Sequence, residues 1–183
     1  MHLERLTFSA IMIALIVVLS SYVQIPLGAA IRLDLSYAVV MFVSLLFGGL
    51  YGGAVAFIAR ILNDFIFSGT VSIWWVIGSA AMAVIIGASQ KLFLSKIKKR
   101  IVKRAATVTV TIAACAAGFI GIVPVLAHLM IGIEYSVILG YGVLAFISDA
   151  IVMVVLGYPL YLTLIKLSIV KALRPIEHYP GSS

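Results

Sequence analysis

Long apolar runs divided by short polar or glycine-rich breaks set the pattern of this chain, at roughly 6 to 23, 36 to 47, 51 to 67, 72 to 94, 105 to 127 and 137 to 165. Crossing a bilayer takes about 20 mostly apolar residues in a helix, since hydrocarbon offers backbone N–H and C=O groups no partner but each other. The pattern predicts an all-α polytopic membrane protein, one domain over 1–183 with six transmembrane helices. The run from Leu6 to Val23 has the length of a full span rather than of the apolar core of a cleaved signal, and is read as a retained first helix. Residues 36–67 have the length of one long helix, but Gly48, Gly49, Gly52 and Gly53 fall at its midpoint. Each costs about 1 kcal/mol inside a helix, so two short spans joined by a glycine hairpin are expected.

Charge orients this bundle. With six spans and the N-terminus inside, every Lys and Arg of the 13 falls on the cytoplasmic side except Arg32 and Arg60. The N and C termini are then cytoplasmic, and the basic stretch Lys96 to Arg104 lies in a cytoplasmic loop (95–104) that separates four helices from two. It reads either as a topogenic, lipid-contacting loop or as a docking site for a partner protein. The net charge of +7 sits beside apolar spans in a chain that is 64% hydrophobic and 10% charged, which points to membrane lipid and not to nucleic acid. Outside, the loop from Gln24 to Leu35 is long for a link between neighbouring helices and suits a lid.

Several chemistries lack their residues. There is no G-x-x-x-x-G-K-[ST], so energy for uphill transport must come from elsewhere. His2, His128 and His178 are far apart and form no H-E-x-x-H or Cys/His cluster, so neither a metal nor a cofactor is expected. No G-x-S-x-G nucleophile is present, and the single Cys115 lies in an apolar run as a packing residue.

Polar groups at membrane depth are costly and face a bundle interior or a wet cavity. Three groups stand out as candidates for binding a solute. Arg60, Asn63 and Asp64 lie on one face of the third helix, where Arg60 and Asp64 are spaced to pair. Asp149, beside Ser148, sits deep in the last helix and needs a proton or a partner. The third group is external: Arg32 and Asp34 in the first loop, Trp74 and Trp75 at the head of the fourth helix, and His128, Glu134 and Tyr135 between the fifth and sixth. Flat aromatics beside a few donors and acceptors suit a planar heterocycle, although tryptophans at this level also form interfacial belts. Small residues recur every fourth position at Ala10 and Ala14, at Ser79, Ala83 and Gly87, and at Ala113, Ala117 and Gly121. Close helix packing inside the bundle is the expectation for most of them.

The Ala10-x-x-x-Ala14 helix, the long first loop and the glycine turn LLFGGLYGGAVAF together resemble the S components of energy-coupling factor (ECF) transporters over nearly the whole chain. The passage from Leu6 to Gly87 is most similar to the S components associated with hydroxymethylpyrimidine or pyridoxine. The resemblance implies a membrane subunit, not an enzyme, that binds a vitamin from outside, with the first loop as gate. It then docks on a module of one transmembrane coupling protein and two ATPases and topples in the membrane to release its cargo. Ala10 and Ala14 would contact the coupling protein, and the pocket would draw on Arg32, Asp34, Trp74, Trp75, His128, Glu134 and Asp149. Arg60 is a departure, since folate-type members often carry an acidic residue there. Two alternatives stand beside this reading, a self-sufficient carrier with Asp149 as its proton site and an intramembrane enzyme.

Overall fold

The computed structural model describes residues 2–26 and 32–165. The middle of the first loop and the basic residues Lys166, Lys171 and Arg174 lie outside the described residues. Among the described residues six helices make the fold: α1 His2–Tyr22, α2 Ser36–Phe47, α3 Gly49–Ser68, α4 Ile73–Leu92, α5 Arg100–Ile131 and α6 Tyr135–Leu164. The all-α membrane class stands. Among the described residues four helices are long and apolar enough to cross a membrane, and the apolar parts of α1 and α2 are shorter.

Between α1 and α2 the chain forms a short antiparallel ribbon, β1 (Gln24–Pro26) with β2 (Arg32–Asp34), in which Gln24 faces Asp34. The pattern of the sequence did not announce it, because three residues a side are too few for an alternation to show. At the other end, the basic stretch is only partly a loop. A single turn at Leu94–Lys96 precedes α5, which starts at Arg100 and so takes in Arg100, Lys103 and Arg104. Lys and Arg are good helix formers, and the apolar run behind them extends the helix backward.

The glycine hairpin is present. Gly48 has φ +94, a region L side chains rarely adopt, and this one residue ends α2 and starts α3. Buried from Ser36 to Leu46, α2 is the central post of the bundle, so its shortness is no penalty. Around the turn α3 and α4 touch backbone to backbone: a Cβ at Gly87 would lie 2.5 Å from the carbonyl carbon of Gly48 and 2.6 Å from the Cα of Gly49.

The small-residue stripes divide. Ser79, Ala83 and Gly87 are buried and make the internal contact expected of them. Ala10 and Ala14 on α1, and Ala113, Ala117 and Gly121 on α5, are exposed on the outside of the bundle, which corrects the expectation of mostly internal packing. Four-residue spacing marks a helix face but not what that face meets.

Both long helices carry a widened π turn, Ala117–Ile122 in α5 and Met153–Gly157 in α6, and each ends two residues before a proline, Pro124 and Pro159. Proline lacks an N–H and crowds the carbonyl one turn back, and the extra residue in the turn relieves that clash without breaking the helix.

Gly87→Val forces α3 and α4 apart and is expected to lower unfolding stability in detergent by about 1–3 kcal/mol. Ala113→Val, on the exposed stripe, should stay within about 0.5 kcal/mol of the parent protein. Thermal unfolding of the two purified variants side by side measures the difference, and equal losses would contradict the division of the stripes.

Candidate functional site

At the end of the bundle away from the basic stretch, the C-terminal half of α3 faces the end of α1, strand β2 and the start of α2 and α4. Arg60 is the hub. Its Nη1 donates to Ser20 Oγ at 2.9 Å and to Asp34 Oδ2 at 3.4 Å, and its Nη2 donates to the Tyr37 hydroxyl. The guanidinium carbon also lies 5.1 Å from the centre of the Tyr37 ring, within cation–π range. Asp34, only 8% exposed, accepts in addition from Ser20 Oγ at 2.8 Å and from the Ser36 backbone N–H at 2.9 Å. Tyr37 and Ser79 join through their hydroxyls at 2.9 Å, which carries the network into α4.

The expected pairing of Arg60 with Asp64 gives way to Arg60 with Asp34. Asp64 instead accepts the Ser72 backbone N–H at 3.0 Å, one of the donors that the start of α4 leaves without a helical partner. Asp34 is the better counter-ion, since its burial strengthens the attraction and Ser20 and the Ser36 N–H also donate to it. Asn63 Oδ1 accepts from Ser21 Oγ at 2.6 Å and pins α1 to α3 beside the hub.

Next to this network is an open cleft of about 190 Å³, lined by Arg60, Asp64, Ser72 and Trp75. Trp75 packs on Phe119, with ring centres 5.7 Å apart. Its neighbour Trp74 has a buried indole N–H with no hydrogen-bond partner among the described residues, a cost of about 1–3 kcal/mol unless an acceptor arrives. Asp149, 4% exposed, accepts from Ser148 Oγ at 3.3 Å and is close enough to Asp34 and Arg60 to feel their charges.

The structure therefore gathers Asp34, Arg60, Asn63, Asp64 and Trp75, with Asp149 behind them. His128, Glu134 and Tyr135 form a separate exposed group at the α5–α6 turn: His128 Nδ1 bonds the Ile133 carbonyl at 2.9 Å, and Glu134 accepts from Ser136 Oγ at 2.7 Å. The Arg32 backbone pairs with Pro26 in the ribbon, while its side chain lies outside what is described. Ser20, Tyr37 and Ser79 were missed. Nothing in their local sequence marks these hydroxyls, and only the pairing of helix ends shows that Ser20 and Tyr37 meet the cation and that Ser79 joins it through Tyr37.

A bundle of apolar helices with a buried ionic network and a cleft beside Trp75 at one end, and a basic cluster at the other, defines a polytopic membrane protein. The family model described as "ECF-type riboflavin transporter, S component" matches residues 1–166, and the chain belongs to that family. That family is one of integral proteins of the cytoplasmic membrane whose members are transporter subunits and not enzymes, which tells against the intramembrane enzyme reading. Among curated relatives, a UPF0397 protein of Phytoplasma australiense is 34% identical over 83 residues, 45% of this chain and 43% of the relative. A UPF0397 protein of Onion yellows phytoplasma is 35% identical over 79 residues, 43% of each chain. One from Streptococcus thermophilus is 34% identical over 74 residues, 40% of this chain and 41% of the relative. These matches span less than half the length of the curated relatives.

Arg60→Met leaves Asp34 buried without its counter-charge and is expected to cost about 3–5 kcal/mol of stability. Adding Asp34→Asn should recover at least half of that loss. Unfolding of the two single variants and the double tests the coupling, and a double variant as unstable as the sum of the singles would show that the two groups act separately.

Proposed function

We propose that this chain is the solute-capturing subunit of an ECF-type importer and that it takes a planar nitrogen heterocycle of the vitamin class, with hydroxymethylpyrimidine or pyridoxine ahead of riboflavin. The observation that carries this reading is the cleft in which Trp75 stands beside Arg60 and Asp64, a flat apolar surface next to a donor and an acceptor. Its volume of about 190 Å³ favours one ring over the three fused rings of a flavin, whereas the family's name favours the flavin. Ribbon β1–β2 is the gate. Asp34 latches it to Arg60, and a solute that engages the guanidinium competes with that latch.

Uptake needs a motor, and in this reading a transmembrane coupling protein with two ATPase subunits supplies it. The exposed pair Ala10 and Ala14 lies on a face of α1 shared with Leu6 and Ile11, where a partner helix can approach closely. Docking there, followed by toppling of the bundle, would carry the cleft across the membrane. So few charges line the outer walls that rotation in lipid exposes little that needs water.

Mass spectrometry of the molecule that co-purifies should find a six-membered nitrogen heterocycle, and that molecule should quench tryptophan fluorescence on titration. Reconstitution with the coupling module should give ATP-dependent uptake. Ala10→Trp with Ala14→Trp is expected to cut that uptake at least tenfold and leave the binding constant within about twofold, about 0.4 kcal/mol. Uptake by the purified chain alone under a proton gradient would replace this reading with the Asp149 carrier.

A further inference from the structure

At the opposite end of the bundle, where α4 finishes, α5 starts and α6 finishes, lies a cavity of about 480 Å³ that the solute site does not use. Arg100, Lys103 and Arg104 line it, and no described carboxylate does. These cations are placed against their own electrostatics. Arg100 with Lys103 and Arg104 stands at i, i+3 and i+4, where like charges repel, and all three occupy the first turns of α5, the positive end of the helix dipole. Neither an acidic first-turn residue nor a side-chain cap relieves the start of α5. The hydroxyls of Thr107 and Thr163 are spent on carbonyls of their own helices, at 2.8 and 3.0 Å. The other donors of the lining are the cations, the Tyr158 and Tyr161 hydroxyls and the Gln90 amide, with Leu162 and Ile165 as an apolar wall.

We propose that this cavity binds a phosphate group, and that the group is the headgroup phosphate of an anionic lipid of the inner leaflet. A phosphate answers each feature of the site. Its oxygens accept from several cationic donors at once, and its charge offsets the repulsion among Arg100, Lys103 and Arg104. Its approach to the start of α5 is favoured by the same dipole that disfavours them. The apolar wall beside the basic floor distinguishes a lipid from a free ion, because glycerol and the first methylenes of an acyl chain can lie along Leu162 and Ile165. Occupancy would tie α4, α5 and α6 together at the end remote from the solute cleft.

The test uses the full chain in neutral detergent, titrated with phosphatidylglycerol, with phosphatidylcholine and with sn-glycerol 3-phosphate, and read by native mass spectrometry. Phosphatidylglycerol should bind saturably at one per chain and more tightly than phosphatidylcholine, whose choline screens its phosphate. Lys103→Gln with Arg104→Gln should raise the dissociation constant about thirtyfold, about fivefold for each cation removed. Lys96→Gln with Lys98→Gln, outside the cavity lining, should leave it within about twofold, and circular dichroism should show both double variants folded. An equal affinity for sn-glycerol 3-phosphate would keep the phosphate site and assign it to a soluble ester, overturning the lipid. Binding that is unsaturable, or that both pairs of substitutions weaken alike, would overturn the site itself. None of these readings depends on the identity of the transported solute.

Discussion

A guanidinium inside a bundle this apolar needs partners, and the arrangement around Arg60 is set by that demand. Ser20 from α1, Asp34 from β2 and Tyr37 from α2 each meet it, and Tyr37 passes the connection to Ser79 of α4. One cation thus fixes the mutual positions of four helices and the ribbon at the end where the cleft opens. An arginine without these partners would cost several kcal/mol at this depth. With them it becomes the place where, in the proposed function, loop, bundle and solute compete for the same donors.

The remainder of the bundle is held by the opposite means. Where α3 and α4 meet at Gly49 and Gly87 there is no polar chemistry, only backbone brought close enough for dispersion contacts that a single methyl group would abolish. Between these regimes stands α2, buried from Ser36 to Leu46, with its first turn in the polar network and its last at the glycine turn. One end of the protein is adjustable, because hydrogen bonds to Arg60 can be exchanged for others. The glycine contact is not, because packed backbone has no alternative arrangement of similar energy. That division fits the proposed function, in which the gate moves while partners handle the body as a unit.

The positions of the helices were legible in the sequence to within a few residues, except at α5, which begins five residues early at Arg100. The break at Gly48 was legible as well, since four glycines in six residues leave a helix little reason to continue. The site was legible in part. Asp34, Arg60, Asp64 and Trp75 stood out as costly or aromatic groups at one end and are brought together, whereas His128, Glu134 and Tyr135 stood out equally and form their own exposed cluster. Spacing along one helix suggested Arg60 with Asp64, and a counter-ion from a strand 26 residues earlier proved the closer partner.

Composition and periodicity by themselves determined that this chain lives in a membrane, how its helices are divided and which end carries the basic charge, because each of these depends on the transfer of local segments between water and lipid. Only the tertiary structure decided which small-residue stripe is inside, which carboxylate answers Arg60 and which hydroxyls complete its shell. Those outcomes depend on which helix faces lie opposite one another, and a helix of given sequence presents the same face whether a neighbour, a partner or lipid covers it.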